Sequence, residues 1–233
     1  MSQRSGYRPD PRPTTRPEPT GGAEGNERLT VITGTVLLIL LAAEGVTILR
    51  IGRLLTLHFF LGMLLLGPVA LKAGSVVYRF TRYYTGSVPY RRKGPPAPIL
   101  RFLGPLILLL TAGVFGSGIL LAIVGPSGRQ PWLTLHRAAF ILWFAVMTVH
   151  VLAYIPRLPK LLHAEARGLA LPEDGRQYGA DSRPAAQAVQ ALGGRSVRLA
   201  LLIGSLVAGL VIALLTIHSA GAWESPARFF YQP

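Results

Sequence analysis

The chain contains no cysteine and little charge, and most of its charge is of one sign. It has 233 residues, of which 15% are charged, and 24 Lys and Arg stand against 10 Asp and Glu. The absence of cysteine excludes iron–sulfur clusters, covalently attached c-type haem, thiolate zinc sites, disulfides and thiol catalysis. Soluble domains usually carry about 25% charged residues, so the sparse charge indicates that much of this surface faces lipid.

Long apolar runs take the place of charge. A helix needs about 20 mostly apolar residues to cross the hydrocarbon core of a bilayer, and five stretches meet that length. The predicted spans are residues 29–49, 54–77, 102–124, 132–155 and 199–217. This pattern predicts an all-α integral membrane protein, with a four-helix transmembrane bundle and a fifth transmembrane helix packed outside it.

The spans also divide the chain into segments. Residues 1–28 are rich in Pro, Arg, Gly and Thr, a composition typical of disorder. The predicted order is a disordered cytoplasmic tail (1–28), the four-helix bundle (29–157), a cytoplasmic linker that begins with a short amphipathic helix (158–196), the fifth helix (197–218) and a short extracytoplasmic tail (219–233).

The positions of Lys and Arg predict the orientation, because basic residues are retained on the cytoplasmic side. Eighteen of them flank one side of the predicted spans and five flank the other, which places the N-terminus in the cytoplasm. The excess of Arg over Lys, 21 to 3, is typical of a GC-rich bacterial genome, so the expected location is a bacterial cell membrane. Since the Arg residues flank apolar helices, the expected partner is the lipid bilayer and not nucleic acid.

Ionisable residues inside two spans share one spacing. His58 and Lys72 are 14 residues apart in the second span, and His136 and His150 are 14 apart in the fourth. Fourteen residues of helix return to within about 40° of one direction and advance about 21 Å. The two spans run the same way and each pair begins four residues into its span. We therefore expect His58 level with His136 and Lys72 level with His150.

Two imidazoles at one depth of a helical bundle are suited to bind haem iron, one nitrogen on each side of the macrocycle. Gly62 lies one turn beyond His58 and leaves room beside it. Gly104 and Gly118 in the third span are also 14 residues apart, so small residues recur at two depths of a neighbouring helix.

These residues resemble those of a known family, the membrane-embedded b-type cytochromes, which include the membrane subunits of hydrogenases and formate dehydrogenases. The resemblance covers residues 26–162, in the segments LLTLHFFLGMLLL, VVYRFTRYYTG and LTLHRAAFILWFAVMTVHVLAYI. It implies a non-catalytic electron-transfer subunit that binds haem b and passes electrons between quinone and a redox partner subunit.

The resemblance also implies roles for single residues. His58 and His136 fall on the outer pair of haem ligands, and His150 falls on one inner ligand. Lys72 stands where the family has a fourth histidine, so one haem b is expected and a second depends on what Lys72 does. A neutral Lys72 amine would bind iron, whereas an ammonium would pair with a haem propionate or a quinone oxygen, or extend to the membrane surface. His150 alternatively donates a hydrogen bond to a carbonyl.

Glu44 and Arg137 near the predicted outer site each have two interpretations, and Pro68 further along the second span has a structural consequence. Glu44 either exchanges protons with a quinone or forms a hydrogen bond with a neighbour such as Arg137. Arg137 either contacts haem propionates or anchors the span at the outer surface. Pro68 removes a backbone donor, frees the carbonyl of Leu64 and predicts a kink. The rival reading of the whole chain is a haem-free membrane scaffold or assembly protein with a degenerate cofactor site.

Overall fold

The computed structural model describes residues 22–92, 98–166 and 194–224, and every regular element within these ranges is helical. Two single 3-10 turns at Pro126–Gly128 and Ile155–Arg157 join some of the helices. The α-helices in these ranges are α1 (Gly22–Leu49), α2 (Ile51–Tyr84), α3 (Val88–Arg92), α4 (Pro98–Val124), α5 (Arg129–Tyr154), α6 (Leu158–Ala166), α7 (Arg195–Thr216) and α8 (His218–Glu224).

Five of the described helices are long and apolar enough to cross a membrane, namely α1, α2, α4, α5 and α7. The predicted all-α, multi-span character is therefore confirmed. Large apolar side chains remain exposed along them, and Leu109 and Leu215 each keep 69% of their surface. Such exposure is expected where the surrounding solvent is lipid.

The first helix begins earlier than the predicted span. α1 starts at Gly22, so residues 22–28, which the composition assigns to the tail, are helical. Arg28 in this first part is buried and pairs with Glu24 at 2.8 Å. The predicted tail from 1 to 21, the linker from 167 to 193 and the terminal residues 225–233 lie outside the described residues. The short helix expected at the start of the linker is α6.

α2 contains one break, and it lies near the helix start. Leu54 has non-helical backbone angles, φ −116° and ψ 22°. The helix thus bends at the residue where the predicted span begins. Around Pro68, the site of the predicted kink, the backbone angles stay helical.

The helices associate as one group of three and one hairpin. α2 packs between α1 and α7, whereas α4 packs against α5. The hairpin is tied by the Trp143 indole, which donates to Thr111 Oγ1 at 2.9 Å. α2 meets α4 over only a short stretch, so little helix packing fills the space between the group and the hairpin.

Backbone contact between α2 and α7 depends on glycine. A Cβ added to Gly209 would collide with the carbonyl oxygen of Leu64, and one added to Gly67 would collide with that of Ser205. Leu64 opposes Gly209 while Gly67 opposes Ser205, so the two helices are antiparallel. Because Pro68 removes the backbone donor to Leu64, the Gly209 Cα lies against an oxygen without its helical partner, where a weak C–H···O contact is favourable.

Candidate functional site

His58 and His136 lie side by side between the two helix groups. Their ring centroids are 6.4 Å apart and the ring planes are inclined at 80°. His58 comes from α2 and His136 from α5, two helices that do not pack along their lengths. The two rings are thus close to each other, as expected from their equal depth in the two spans.

The Nδ1 atom of His58 is held by residues of α1. It lies 2.8 Å from Glu44 Oε1 and 3.0 Å from Thr47 Oγ1. Thr47 is buried, and its hydroxyl donates to the Glu44 carbonyl at 2.6 Å, with Glu44 Oε2 at 3.3 Å. When Glu44 is ionised, its carboxylate accepts hydrogen bonds, and His58 Nδ1 is then the donor in this contact.

The Nδ1 atom of His136 is held by residues of α4. It donates to the carbonyl oxygen of Val114 at 3.0 Å, and Ser117 Oγ lies at 3.1 Å. The Ser117 hydroxyl itself donates to the Gly113 carbonyl at 2.6 Å. Gly118 lies against this ring, since a Cβ there would be 3.3 Å from His136 Cε1. Because Gly118 has no side chain, the imidazole of His136 can lie against α4 at this depth.

These bonds determine which nitrogen of each ring is available as a ligand. A neutral imidazole with a proton on Nδ1 has its lone pair on Nε2. In metal sites, the ligating histidine characteristically donates its other N–H to a carboxylate or a backbone carbonyl. Both arrangements occur here, the carboxylate of Glu44 behind His58 and the carbonyl of Val114 behind His136.

A metal ion shared by two imidazoles whose Nε2 atoms both face it sets a ring-centroid distance close to the one observed. Imidazole nitrogen binds metal ions at about 2.0 Å and a ring centre lies about 1.1 Å further away, so a shared ion separates two centroids by about 6 Å. The observed distance is 6.4 Å. Within the described parts of the chain, no three His, Asp or Glu side chains cluster as a metal site. Haem requires no such cluster, because the porphyrin supplies the other four ligands.

The remaining residues predicted for the outer site take different positions. Glu44 contacts His58, so the pairing with Arg137 considered above is not what the structure has; Arg137 is exposed. Gly62 faces the carboxylate, since a Cβ there would lie 3.7 Å from Glu44 Oε1. Its absent side chain therefore leaves room for Glu44. Nothing lies within 4 Å of a Cβ added to Gly104.

The predicted inner pair is not joined by a described hydrogen bond. The Lys72 ammonium donates to the backbone carbonyl of Thr30 on α1, where Gly34 leaves space for it. His150 is half-buried, and its ring centroid lies 4.8 Å from that of Tyr154. Lys72 is thus held by α1 through its nitrogen, the atom that would otherwise bind iron.

A polar network surrounds this lysine. Asn26 Nδ2 donates to the Ser75 carbonyl at 3.1 Å, and the hydroxyls of Thr30 and Ser75 are 2.9 Å apart. Ser75 Oγ also donates to the Lys72 carbonyl at 2.8 Å. The polar groups of α1 and α2 near Lys72 are therefore hydrogen-bonded to one another.

Thr47, Ser117 and the carbonyl of Val114 are site groups that sequence reasoning missed. Thr47 is three residues after Glu44, and this helical spacing is the one signal that it shares a face with the carboxylate. Ser117 is common as a packing residue in membrane helices, and a backbone carbonyl has no sequence signal. Only the tertiary arrangement reveals what stands behind His136.

Comparison with protein-family models, curated proteins and solved structures finds no match for this chain. The resemblance to b-type cytochromes accordingly stays a prediction made from residue spacing. The geometry of the two histidines is the independent observation.

Proposed function

We propose that the chain is a membrane electron-transfer subunit that binds one haem b through His58 and His136. The observation that carries this proposal is the histidine pair, whose rings are 6.4 Å apart and whose Nδ1 atoms are both occupied by groups behind them. Through their Nε2 atoms, which make no described hydrogen bond, His58 and His136 would hold the iron of a haem. Haem b, when bound, supplies a one-electron redox centre.

The protein's own residues would determine where and how that centre is held. His58 and His136 would hold the iron, and the α1–α2 and α4–α5 pairs would set the distance between the two rings. Glu44 and Val114 hold the two ring orientations through Nδ1. The surrounding apolar helices exclude water from the site, and burial is one of the factors that sets a haem potential.

The proposed helix arrangement, electron partners and location are based on this site. In the proposed arrangement, α1, α2, α4 and α5 form the four-helix bundle, and α7 packs outside it against α2. Quinone and a redox partner subunit are the proposed electron partners, since the outer connections, Arg50 and residues 125–128, offer little surface of their own. The proposed location is a bacterial cell membrane with the N-terminus in the cytoplasm.

One haem is proposed and not two because the polar groups described at the inner position are hydrogen-bonded to one another. Lys72 is engaged by Thr30, and the nearby side chains of α1 and α2 bond to each other. The same observation is the one that favours the rival function, a haem-free scaffold that has lost its cofactor sites. Haem analysis of the wild-type protein separates the two.

The test is a reduced-minus-oxidised spectrum with haem measured per chain, on protein purified in detergent from haem-replete cells. We expect one b-type haem per chain. His58→Gly and His136→Gly should each lose nearly all of it, and added imidazole should restore the band. His218→Gly is the matched control, because His218 is exposed at the start of α8 and should retain full haem.

Added imidazole shows whether a glycine variant lacks haem because it has not folded or because it has lost an iron ligand. A variant that fails to fold stays colourless when imidazole is added, whereas a folded variant with an empty axial position recovers its spectrum. A colourless wild type would overturn the electron-transfer proposal and leave the membrane scaffold. Full haem in both glycine variants would move the ligands away from His58 and His136.

A further inference from the structure

The two histidines differ in the charge of the group behind them. His58 Nδ1 faces the Glu44 carboxylate at 2.8 Å, whereas His136 Nδ1 faces a neutral carbonyl at 3.0 Å and a hydroxyl at 3.1 Å. The difference is confined to one side of the pair. Both side chains are histidines, yet only His58 has a charged group behind it, so the two halves of the site differ electronically.

Glu44 is built into this position. Its side chain is 12% exposed, and the buried Thr47 hydroxyl contacts its carbonyl, its carboxylate and His58 Nδ1. Gly62 also lies next to the carboxylate, since a Cβ there would be in van der Waals contact with Oε1 at 3.7 Å. A carboxylate in an apolar span is costly unless it is partnered, and its nearest ionisable partner is His58.

We infer that Glu44 is a positioning residue that orients His58 as an axial ligand and lowers the reduction potential of the haem. The inference rests on the proposed function and deepens it, because it assigns the residue that tunes the proposed centre. It differs from proton exchange with a quinone, since Glu44 acts here through His58 and touches neither haem nor quinone.

The physical reason is the charge on the acceptor. A hydrogen bond from Nδ1–H to an anion is stronger than one to a neutral oxygen and raises the basicity of the ligand at Nε2. A more basic ligand and a nearby negative charge both favour the oxidised iron, which carries one more positive charge than the reduced iron. The neutral groups behind His136 exert a smaller effect.

The test is redox titration of the haem in wild type and Glu44→Gln at one fixed pH in detergent. Glutamine keeps an oxygen that accepts from His58 but removes the charge. We expect haem content to remain at the wild-type level and the ratio of reduced to oxidised haem at a fixed potential to rise about tenfold, which is about +59 mV for a one-electron couple.

Ser117→Ala is the matched control on the other ligand. The substitution removes a neutral hydroxyl next to His136, while the Val114 carbonyl remains. The reduction potential of the haem should therefore change by much less in Ser117→Ala than in Glu44→Gln. The electron paramagnetic resonance spectrum of the oxidised haem gives a second readout. Glu44→Gln should shift the low-spin signal without producing a high-spin one.

The outcomes separate the inference from the proposed function. A wild type without haem defeats the proposed function itself. Haem bound equally in wild type and Glu44→Gln, with the same potential and the same spectrum, defeats the role of Glu44 and leaves the histidine ligands standing. An equal shift in Glu44→Gln and Ser117→Ala would also defeat it, because loss of packing and not loss of charge would then explain both.

Discussion

At the residue scale, Lys72 is an ionisable side chain within a helix that is long and apolar enough to cross a membrane. A lysine in the middle of a membrane helix costs about 3 kcal/mol, and a hydrogen bond from a charged group returns about 1.5–3 kcal/mol. The ammonium obtains such a bond from the Thr30 carbonyl. The two contributions nearly cancel, so this hydrogen bond offsets most of the cost of placing the lysine within the apolar helix.

We therefore predict that Lys72→Met leaves both haem content and stability nearly unchanged. Position 72 is 14 residues from His58, about 21 Å along the helix, and methionine fills a similar volume. Haem per chain should match wild type, and the free energy of unfolding should change by less than about 1 kcal/mol. Haem quantification and thermal unfolding in detergent check the two expectations.

His150→Ala is the companion variant for the inner position. It too should retain one haem, since its described ring neighbour is Tyr154. Loss of a second haem in either variant would show that the inner site binds a cofactor after all. The prediction would then fail at the inner site while the outer pair remained.

The proximity of His58 and His136 was predictable from sequence, and the groups behind the two rings were not. Equal spacing in two spans that run the same way is a property of helix geometry, so His58 and His136 were expected to meet. The partners of Nδ1 come from two other helices, α1 and α4, and depend on how those helices rotate about their axes. A single sequence contains no direct signal of that rotation.

At the element scale, the contact between α2 and α7 distinguishes two glycines that look equivalent in sequence. Gly204 and Gly209 both suggest close packing in an apolar helix. Only Gly209 lies on the backbone of α2, whereas a Cβ on Gly204 would meet nothing within 4 Å. The length of an apolar run thus predicts a helix, whereas the contacts between helices determine which face of that helix packs against a neighbour.

We predict that Gly209→Leu destabilises the protein by about 1–3 kcal/mol or more, the range of overpacked sites. The new side chain would collide with the Leu64 carbonyl and force α7 away from α2. Gly204→Leu adds the same side chain to the same helix, in open space, and should unfold within about 0.5 kcal/mol of wild type. Thermal unfolding in detergent compares the pair, and equal destabilisation would contradict the assigned contact face.

At the scale of the whole molecule, the helix directions constrain the topology. α1 and α2 form an antiparallel pair through a one-residue connection, α4 and α5 form a hairpin, and α7 runs antiparallel to α2. With five helices that cross the membrane, the end of α7 lies on the side opposite the start of α1. The directions leave two orientations, and the distribution of basic residues chooses between them.

We predict that the turn after α2 faces the cytoplasm and the turn after α4 faces outward. Thr85 and Ser127 mark these turns, and both are exposed. Because the chain contains no cysteine, Thr85→Cys and Ser127→Cys each supply a single thiol on a background that does not react. A membrane-impermeant maleimide should label Ser127→Cys in intact spheroplasts, and should label Thr85→Cys only after lysis. The reverse pattern would invert the molecule and place His58 and His136 at the cytoplasmic end, so the proposed haem would lie next to the opposite compartment.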